Sequence, residues 1–118
     1  MDHGGLSGIR DEGLLDSALA RPVNLYTYAD REPDLADLAT AYAAGLIKNH
    51  PFFDGNKRIA LIVCRTFLLL NDYTLTGPQS ARYDAIMGLA SGQVSERDFA
   101  EWVRSCMAHD THDSPDGR

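Results

Sequence analysis

The sequence predicts an all-α fold, a single compact helical domain with a central buried helix. Apolar residues recur at helical spacing along most of the chain, prolines and glycines separate the periodic segments, and no region is rich in strand patterns. At 118 residues the chain can bury one hydrophobic core but not two. We expect the domain to span residues 1–108 and a disordered polar tail to occupy residues 109–118.

The first half of the chain contains two predicted helices. Asp11 can cap the first helix, and Pro22 is expected to end it. Val23–Arg31, with tyrosines among polar residues, is predicted to form a loop or a short hairpin. Pro33 fits the first turn of the second helix. Pro51 ends that helix, because the residue before a proline is pushed out of helical geometry.

Three more helices are predicted in the second half. The most apolar pattern starts near Gly55 and runs to about Asn71. Because this pattern is apolar almost all round after its first turn, we expect it to be the central helix, covered by its neighbours. Gln79–Ser91 forms the next helical segment, between a Gly-Pro turn and a following glycine. Ser95 is expected to cap the last helix.

Charge and composition exclude several classes of function. The formal net charge of −6 argues against nucleic acid as the main partner, because phosphate backbones require a basic surface. The longest apolar run, Ile59–Cys64, is far too short to span a bilayer, and the first residues do not resemble a signal peptide. Cys64 and Cys106 fall in apolar helical patterns, so we expect buried thiols in a reducing cytoplasm.

A phosphate-binding site is predicted where the central helix begins. The amides from Gly55 to Lys57 include donors with no partner inside the helix, and they lie at its positive end. Such a helix end suits phosphate oxygens, and glycine permits a close approach of the ligand. Lys57 and Arg58 add positive charge beside the same amides. Basic residues oppose the helix dipole at this end, and a broken local rule points to function.

Asp54 and His50 complete a set of groups suited to transfer from a nucleotide. Magnesium is commonly held by one or two carboxylates together with substrate phosphates, and Asp54 adjoins the predicted phosphate site. The imidazole of His50, one loop earlier, is suited to taking a proton from a hydroxyl. Each residue alone has a plainer explanation as a cap, a surface residue or a solvated first turn. The ordered combination favours group transfer.

The segment His50–Arg58 resembles the Fic-family signature, His-x-Phe-x-Asp/Glu-Gly-Asn-Gly-Arg-x-x-Arg, in the variant of the Doc toxins. That variant has Asn-Lys-Arg in place of Asn-Gly-Arg. Arg10–Leu15 and Ala18–Pro22 also resemble Doc sequences, so the resemblance extends over roughly residues 4–102. Doc proteins usually carry a strand and a helix before the stretch that corresponds to His3–Leu6, and we expect these elements to be missing here.

The resemblance implies a role for each residue of the segment. His50 would be the catalytic base, Phe52 would anchor the loop in the core, and Asp54 would bind magnesium. The residues implied to bind the nucleotide phosphates are Gly55, Asn56, Lys57, Arg58 and, just upstream of the histidine, Lys48. The family's flap, which docks the target protein, would fall at Val23–Arg31 and include Tyr26 and Tyr28.

Two departures from the adenylylating signature favour the Doc type of reaction. Lys57 replaces its second glycine, and Leu61 stands where its second arginine would fall. The resemblance then implies a kinase-like toxin that uses ATP and magnesium to phosphorylate a hydroxyl of a translation protein, elongation factor Tu being the family's known target. One alternative is transfer of AMP to a protein hydroxyl. Another is a non-catalytic remnant that only binds an antitoxin.

The resemblance also implies a partner and a location. The partner would be a Phd-like antitoxin whose C-terminal segment folds on binding, because the chain contains no Ser/Thr-x-x-x-Glu-Gly/Asn helix of the kind that inhibits many Fic proteins from within. A toxin that inhibits translation would act in the bacterial cytoplasm.

Overall fold

A computed structural model describes residues 8–110, and this part of the chain forms five helices and two short strands. The helices are α1 (Glu12–Tyr28), α2 (Leu35–Asn49), α3 (Asn56–Leu70), α4 (Gln79–Ser91) and α5 (Glu96–Cys106). The strands β1 (Tyr73–Leu75) and β2 (Met107–His109) pair antiparallel, with Tyr73 opposite His109. The predicted all-α fold class is confirmed. Among the described residues, no helix is both long and apolar enough to cross a membrane.

The start of α1 follows the sequence prediction, but its end does not. Asp11 caps the helix, its Oδ1 accepting a hydrogen bond of 2.9 Å from the amide of Leu14. The helix then continues through Pro22 to Tyr28, so the predicted stop at Pro22 is wrong. The loop or hairpin predicted over Val23–Arg31 is therefore wrong as well, and the chain is irregular only between residues 29 and 34.

Tertiary packing explains why α1 tolerates its internal proline. A proline inside a helix removes one hydrogen bond and costs about 3 kcal/mol or more. Pro22 is buried in α1, and Gly45 of α2 comes close to the carbonyl of Ala18, the residue one helical turn before the proline. A Cβ at Gly45 would lie 2.9 Å from that oxygen. The close contact between α1 and α2 favours continuation of the helix, and it requires glycine at this position.

The central helix of the domain is α2 rather than α3. α2 packs against α1, α3 and α5, and its buried residues are mostly small: Ala36, Ala39, Thr40, Ala41, Ala43, Ala44, Gly45 and Leu46. α3 buries only one stripe of its surface, and three of its large apolar side chains are half exposed or more: Ile62, Leu69 and Leu70. A central buried helix is thus confirmed, but the prediction that the most apolar helix would be that one is wrong. Small side chains allow close neighbours on every side of α2.

The second half of the chain agrees closely with the sequence prediction. α4 has the predicted bounds, Gly92 follows it in the left-handed conformation, and Ser95 caps α5 with a hydrogen bond of 3.0 Å from the amide of Asp98. Cys64 is fully buried, and burial raises the pKa of its thiol to about 12. β2 includes His109, which the sequence places in the tail, while residues 111–118 lie outside the described residues.

Arg104 ties the end of α5 to the start of α2. Its guanidinium donates to both carboxylate oxygens of Asp34, at 2.7 and 3.0 Å, and to Asp37 at 3.0 Å. Asp34 and Asp37 also form the capping box of α2, so the ion pair reinforces a helix start. The hydrogen bond from Arg104 is the main reason that the pKa of Asp34 falls from 3.8 to about 2.

We expect Arg104→Gln to destabilise the protein by about 1 kcal/mol near neutral pH, since the pairs are partly exposed. The pKa of Asp34 is lower in the folded state, so its contribution is present above pH 3.8 and is lost as the pH falls towards 2. Denaturant unfolding of both proteins between pH 7 and pH 2.5 checks this. Arg97→Gln, an exposed change on the same helix, is the matched control. A difference that stays constant across the range would contradict the assignment.

Candidate active site

His50 occupies an unusual backbone position at the end of α2. It is the C-cap of the helix and has φ 52° and ψ 52°, in the left-handed region. For a residue other than glycine this conformation costs roughly 1–2 kcal/mol, and such strain clusters at functional sites. The side chain of His50 is exposed and lines a cleft between α3 and α4. The predicted base therefore lies where a bound substrate could reach it.

The loop that follows His50 is held by the side chain of Asn56. Its Oδ1 accepts a hydrogen bond of 3.0 Å from the amide of Phe52, and its Nδ2 donates one of 2.9 Å to the carbonyl of the same residue. Asn56 is buried, and Phe52 packs against the hydrophobic core. The side-chain amide of Asn56, implied by resemblance to face phosphate, is used within the loop. Its main-chain amide is the group that remains for a ligand.

The N-terminus of α3 is open. Gly55 precedes it with φ 76°, and no side chain caps the helix. The amides of Asn56, Lys57 and Arg58 therefore have no acceptor within the first turn. The amide of Gly55 donates to Asp54 Oδ1 at 2.8 Å, so the open amides begin one residue later than the sequence suggests. Three adjacent donors at the positive end of a helix form a site suited to an anion.

Two basic side chains flank this open helix end. The guanidinium of Arg58 folds back over Gly55, since a Cβ at Gly55 would lie 2.9 Å from Arg58 Nη2. The positive φ favours glycine at position 55, whereas the guanidinium, at the end of a flexible side chain, could move away from a Cβ. Lys57 is exposed on the same turn. The positive end of the helix dipole and the two cationic side chains repel one another. A bound anion would reduce this repulsion.

The cleft above the helix end has a volume of about 540 Å³, within the usual range for small-molecule sites. One side of it is formed by the motif, from His50 to Arg58. Leu61 of α3, which the signature already singles out, also lines the cleft. The other wall comes from α4, through side chains that sequence reasoning did not find: Gln79, Tyr83, Ile86 and Met87. No local pattern could reveal this wall, because the Gly77-Pro78 turn and β1 separate α4 from the motif. The charged side chains of the lining all belong to the motif, whereas α4 contributes mostly apolar ones.

Asp54 is the acidic side chain that the motif adds to the cleft. One of its oxygens accepts from the Gly55 amide, and the carboxylate is exposed at the rim. Within residues 8–110, no group of three or more His, Cys, Asp or Glu side chains could hold a metal ion by itself. One carboxylate beside the candidate phosphate site nevertheless fits magnesium, which usually keeps several waters and shares its coordination with substrate phosphates.

Lys48 lies outside the cleft. Its Nζ forms an ion pair of 2.6 Å with Glu96 Oε2, and Arg21 binds the same carboxylate. Partial burial raises the pKa of Glu96, but the hydrogen bond from Lys48 and the charge of Arg21 outweigh it, so that the pKa is lowered overall. The phosphate contact implied for Lys48 by resemblance does not match this position. Lys48 instead joins α2 to α5 through Glu96, a carboxylate that Arg21 also links to α1.

Tyr26 and Tyr28 are exposed, as a docking surface requires, but they lie on the last turn of α1. The predicted flap is therefore a helix end followed by the irregular residues 29–34. Neither tyrosine lines the cleft.

A larger concavity of about 750 Å³ lies between α1, the start of α2 and α5. Many of its charged side chains pair with each other, as Arg104 does with Asp37 and Arg21 with Glu96. No residue of the His50–Arg58 motif lines it. The smaller cleft, which contains the motif, is the candidate active site.

Comparison with known proteins assigns the chain to a family. A sequence profile described as Fic/DOC family matches residues 1–68. The chain is 44% identical over 72 residues to "Toxin Doc" of Mycolicibacterium smegmatis, an alignment that covers 61% of this chain and 55% of that protein. It is 30% identical over 103 residues to "Protein kinase doc" of Escherichia phage P1, covering 86% of this chain and 79% of that protein.

The chain thus spans about half the length of the mycobacterial relative and about four fifths of the phage relative. The part of the chain that the profile matches, residues 1–68, includes the whole of the motif His50–Arg58. Because the profile match extends over more than half of the sequence, and a relative 30% identical is covered for most of its length, the chain belongs to the Fic/Doc family.

Proposed function

We propose that this chain is the toxin of a toxin–antitoxin pair and that it transfers the γ-phosphate of ATP to a hydroxyl of a translation protein. The observation that carries the proposal is the cleft in which His50, Asp54 and the open N-terminus of α3 come together. The names of the two relatives, a toxin and a protein kinase, support both parts of it. Elongation factor Tu is the target that the family resemblance suggests.

In the proposed reaction His50 takes the proton from the target hydroxyl. The hydroxyl oxygen then forms a bond to the γ-phosphorus, the bond from that phosphorus to the bridging oxygen breaks, and ADP leaves. The amides of Asn56, Lys57 and Arg58 hold phosphate oxygens, and the side chains of Lys57 and Arg58 balance their charge. Magnesium, held by Asp54 together with the phosphates, would supply further charge neutralisation.

Two side chains favour transfer of phosphate over transfer of AMP. Lys57 replaces a glycine of the adenylylating signature and occupies space beside the helix end where the triphosphate would otherwise lie. Leu61 replaces an arginine, and it lines the cleft with an apolar side chain. An apolar group at that place offers no contact to a phosphate. AMP transfer is the second candidate, because the base and the anion site alone would serve either reaction.

Mass spectrometry of intact targets tests the proposal. Elongation factor Tu is incubated with the chain, ATP and magnesium, and its mass is compared with that of a sample without ATP. A gain of one phosphate supports the proposal, and a gain of AMP would replace it with the second candidate. An unchanged mass for this target and for the other translation factors would point to a non-catalytic protein that binds an antitoxin.

Binding of ATP should depend on magnesium through the charge of Asp54. We expect the affinity for ATP to fall when magnesium is omitted, and Asp54→Asn to lose most of this magnesium dependence. Asparagine keeps the shape of the side chain but removes the charge that attracts the ion. Titration calorimetry with and without magnesium measures the effect, and Asp84→Asn, an exposed change on α4 outside the cleft lining, is the control. Equal dependence on magnesium in wild type and Asp54→Asn would refute the role.

The proposal includes a Phd-like antitoxin that inhibits the chain from outside. The sequence has no inhibitory Ser/Thr-x-x-x-Glu-Gly/Asn pattern of its own. A toxin that inhibits translation must be neutralised in the cell that makes it. Segments that fold on binding can cover large surfaces and are easily removed by proteolysis. Harmless high-level expression of an active form without any antitoxin would argue against the antitoxin.

Tyr26 and Tyr28 are proposed to contact the target protein, since both are exposed on one helix end.

A further inference from the structure

The segment before α1 runs antiparallel to the motif loop. Ile9 forms an isolated bridge with Phe52, and the amide of Phe53 donates to the carbonyl of Gly8 at 3.1 Å. The amide of Arg10 donates to the carbonyl of Pro51 at 2.6 Å. The loop that carries His50 is therefore supported along its length by a segment about 40 residues earlier in the sequence.

The side chain of Arg10 holds the backbone at His50 itself. Its Nε donates to the carbonyl of His50 at 2.8 Å, and its Nη2 donates to the carbonyl of Asn49 at 3.1 Å. The last carbonyls of a helix have no intrahelical partner and carry the negative end of its dipole. A guanidinium satisfies two of them with a planar pair of donors, which a lysine cannot do.

We propose that Arg10 is a positioning residue that keeps His50 in its left-handed conformation and so directs the imidazole into the cleft. His50 would otherwise favour other backbone angles, because a Cβ is unfavourable in this region. The carbonyl of His50 rotates with ψ, so a hydrogen bond that holds this oxygen also restrains the backbone on which the side chain sits. Arg10 does not line the cleft, so its proposed effect on the reaction is exerted through the backbone of His50. The catalytic consequence rests on the proposed function.

Kinetics of label transfer from γ-labelled ATP test the consequence for the reaction. Arg10→Ala should lower kcat by roughly tenfold to a hundredfold, because small displacements of a catalytic group have effects of this size. The KM for ATP should stay close to that of the wild type, since the phosphate site on α3 is intact. Arg10→Lys should recover part of the rate through a single donated hydrogen bond. Arg97→Ala, which removes an exposed arginine far from the loop in sequence, should behave as wild type.

Nuclear magnetic resonance tests the positioning without requiring any activity. The ¹³Cα shift of His50 reports its left-handed backbone, and hydrogen exchange reports the bonded amides of Phe52 and Phe53. Arg10→Ala should move the shift towards that of extended or right-handed residues and speed exchange at both amides. Arg10→Lys should give intermediate changes. If the alanine variant does not fold, the lysine variant tests the positioning role.

The two arms separate the inference from the proposed function. A wild-type protein that transfers no label to any translation factor removes the proposed reaction, and the magnetic resonance arm alone then decides the role of Arg10. An unchanged ¹³Cα shift of His50 in the variants overturns the positioning role. So does a wild-type kcat in Arg10→Ala when the wild type is active.

Discussion

Replacement of His50 by alanine is expected to reduce phosphate transfer by roughly 10²–10⁴-fold, the usual contribution of a general base. The fold should remain intact, because the imidazole is exposed at the cleft and takes no part in the core. The measurement is the rate of label transfer from γ-labelled ATP, with circular dichroism and thermal unfolding on the same samples. Transfer at the wild-type rate would falsify the assignment of the base.

The left-handed backbone at His50 calls for a second variant. Alanine is unfavourable in this region, whereas asparagine adopts it more readily and cannot serve as the base. His50→Asn should therefore fold at least as well as His50→Ala and be equally inactive. If His50→Asn were active while His50→Ala was not, the loss would come from the loop geometry. Unfolding of both variants would indicate that His50 has a structural role.

Lys57 is expected to decide which phosphate of ATP is attacked. Its ammonium is a compact charge beside the open end of α3, and its side chain fills space that a glycine would leave free. The γ-phosphate should then face His50. Lys57→Gly should lose γ-phosphate transfer by roughly 10²–10³-fold, the usual effect of removing one electrostatic contact to a transition state. It should gain at most weak AMP transfer, because Leu61 still lacks a positive charge.

ATP labelled at the α-phosphate and ATP labelled at the γ-phosphate, used side by side, check this prediction. Lys57→Met keeps most of the bulk of the side chain and removes its charge, so it should lose γ-transfer without gaining α-transfer. The pair of variants separates the space that Lys57 fills from the charge that it carries. A wild-type protein that passes the α-label to its target would contradict the prediction, whatever the variants do.

Much of the fold could be predicted because it depends on short-range rules. Asp11 and Ser95 cap their helices through residues three positions later, and Gly92 ends α4 with a positive φ that glycine adopts freely. The candidate anion site at the start of α3 is equally local, since the open amides and the flanking cations belong to three consecutive residues, Asn56 to Arg58. Helical spacing and capping signals describe interactions within a single turn, so they can be recognised in a sequence.

The sequence by itself therefore determined the helical class, most helix ends, and the motif from His50 to Arg58. Tertiary structure decided the continuation of α1 past Pro22, the pairing of Lys48 with Glu96 and the α4 wall of the cleft. It also brought Arg10 to the carbonyl of His50, across 40 positions of the sequence. These contacts join segments that are far apart in the sequence, so neither helical periodicity nor a capping signal indicates them. Which partner a side chain meets depends on how the helices pack, because close packing allows few arrangements of the core.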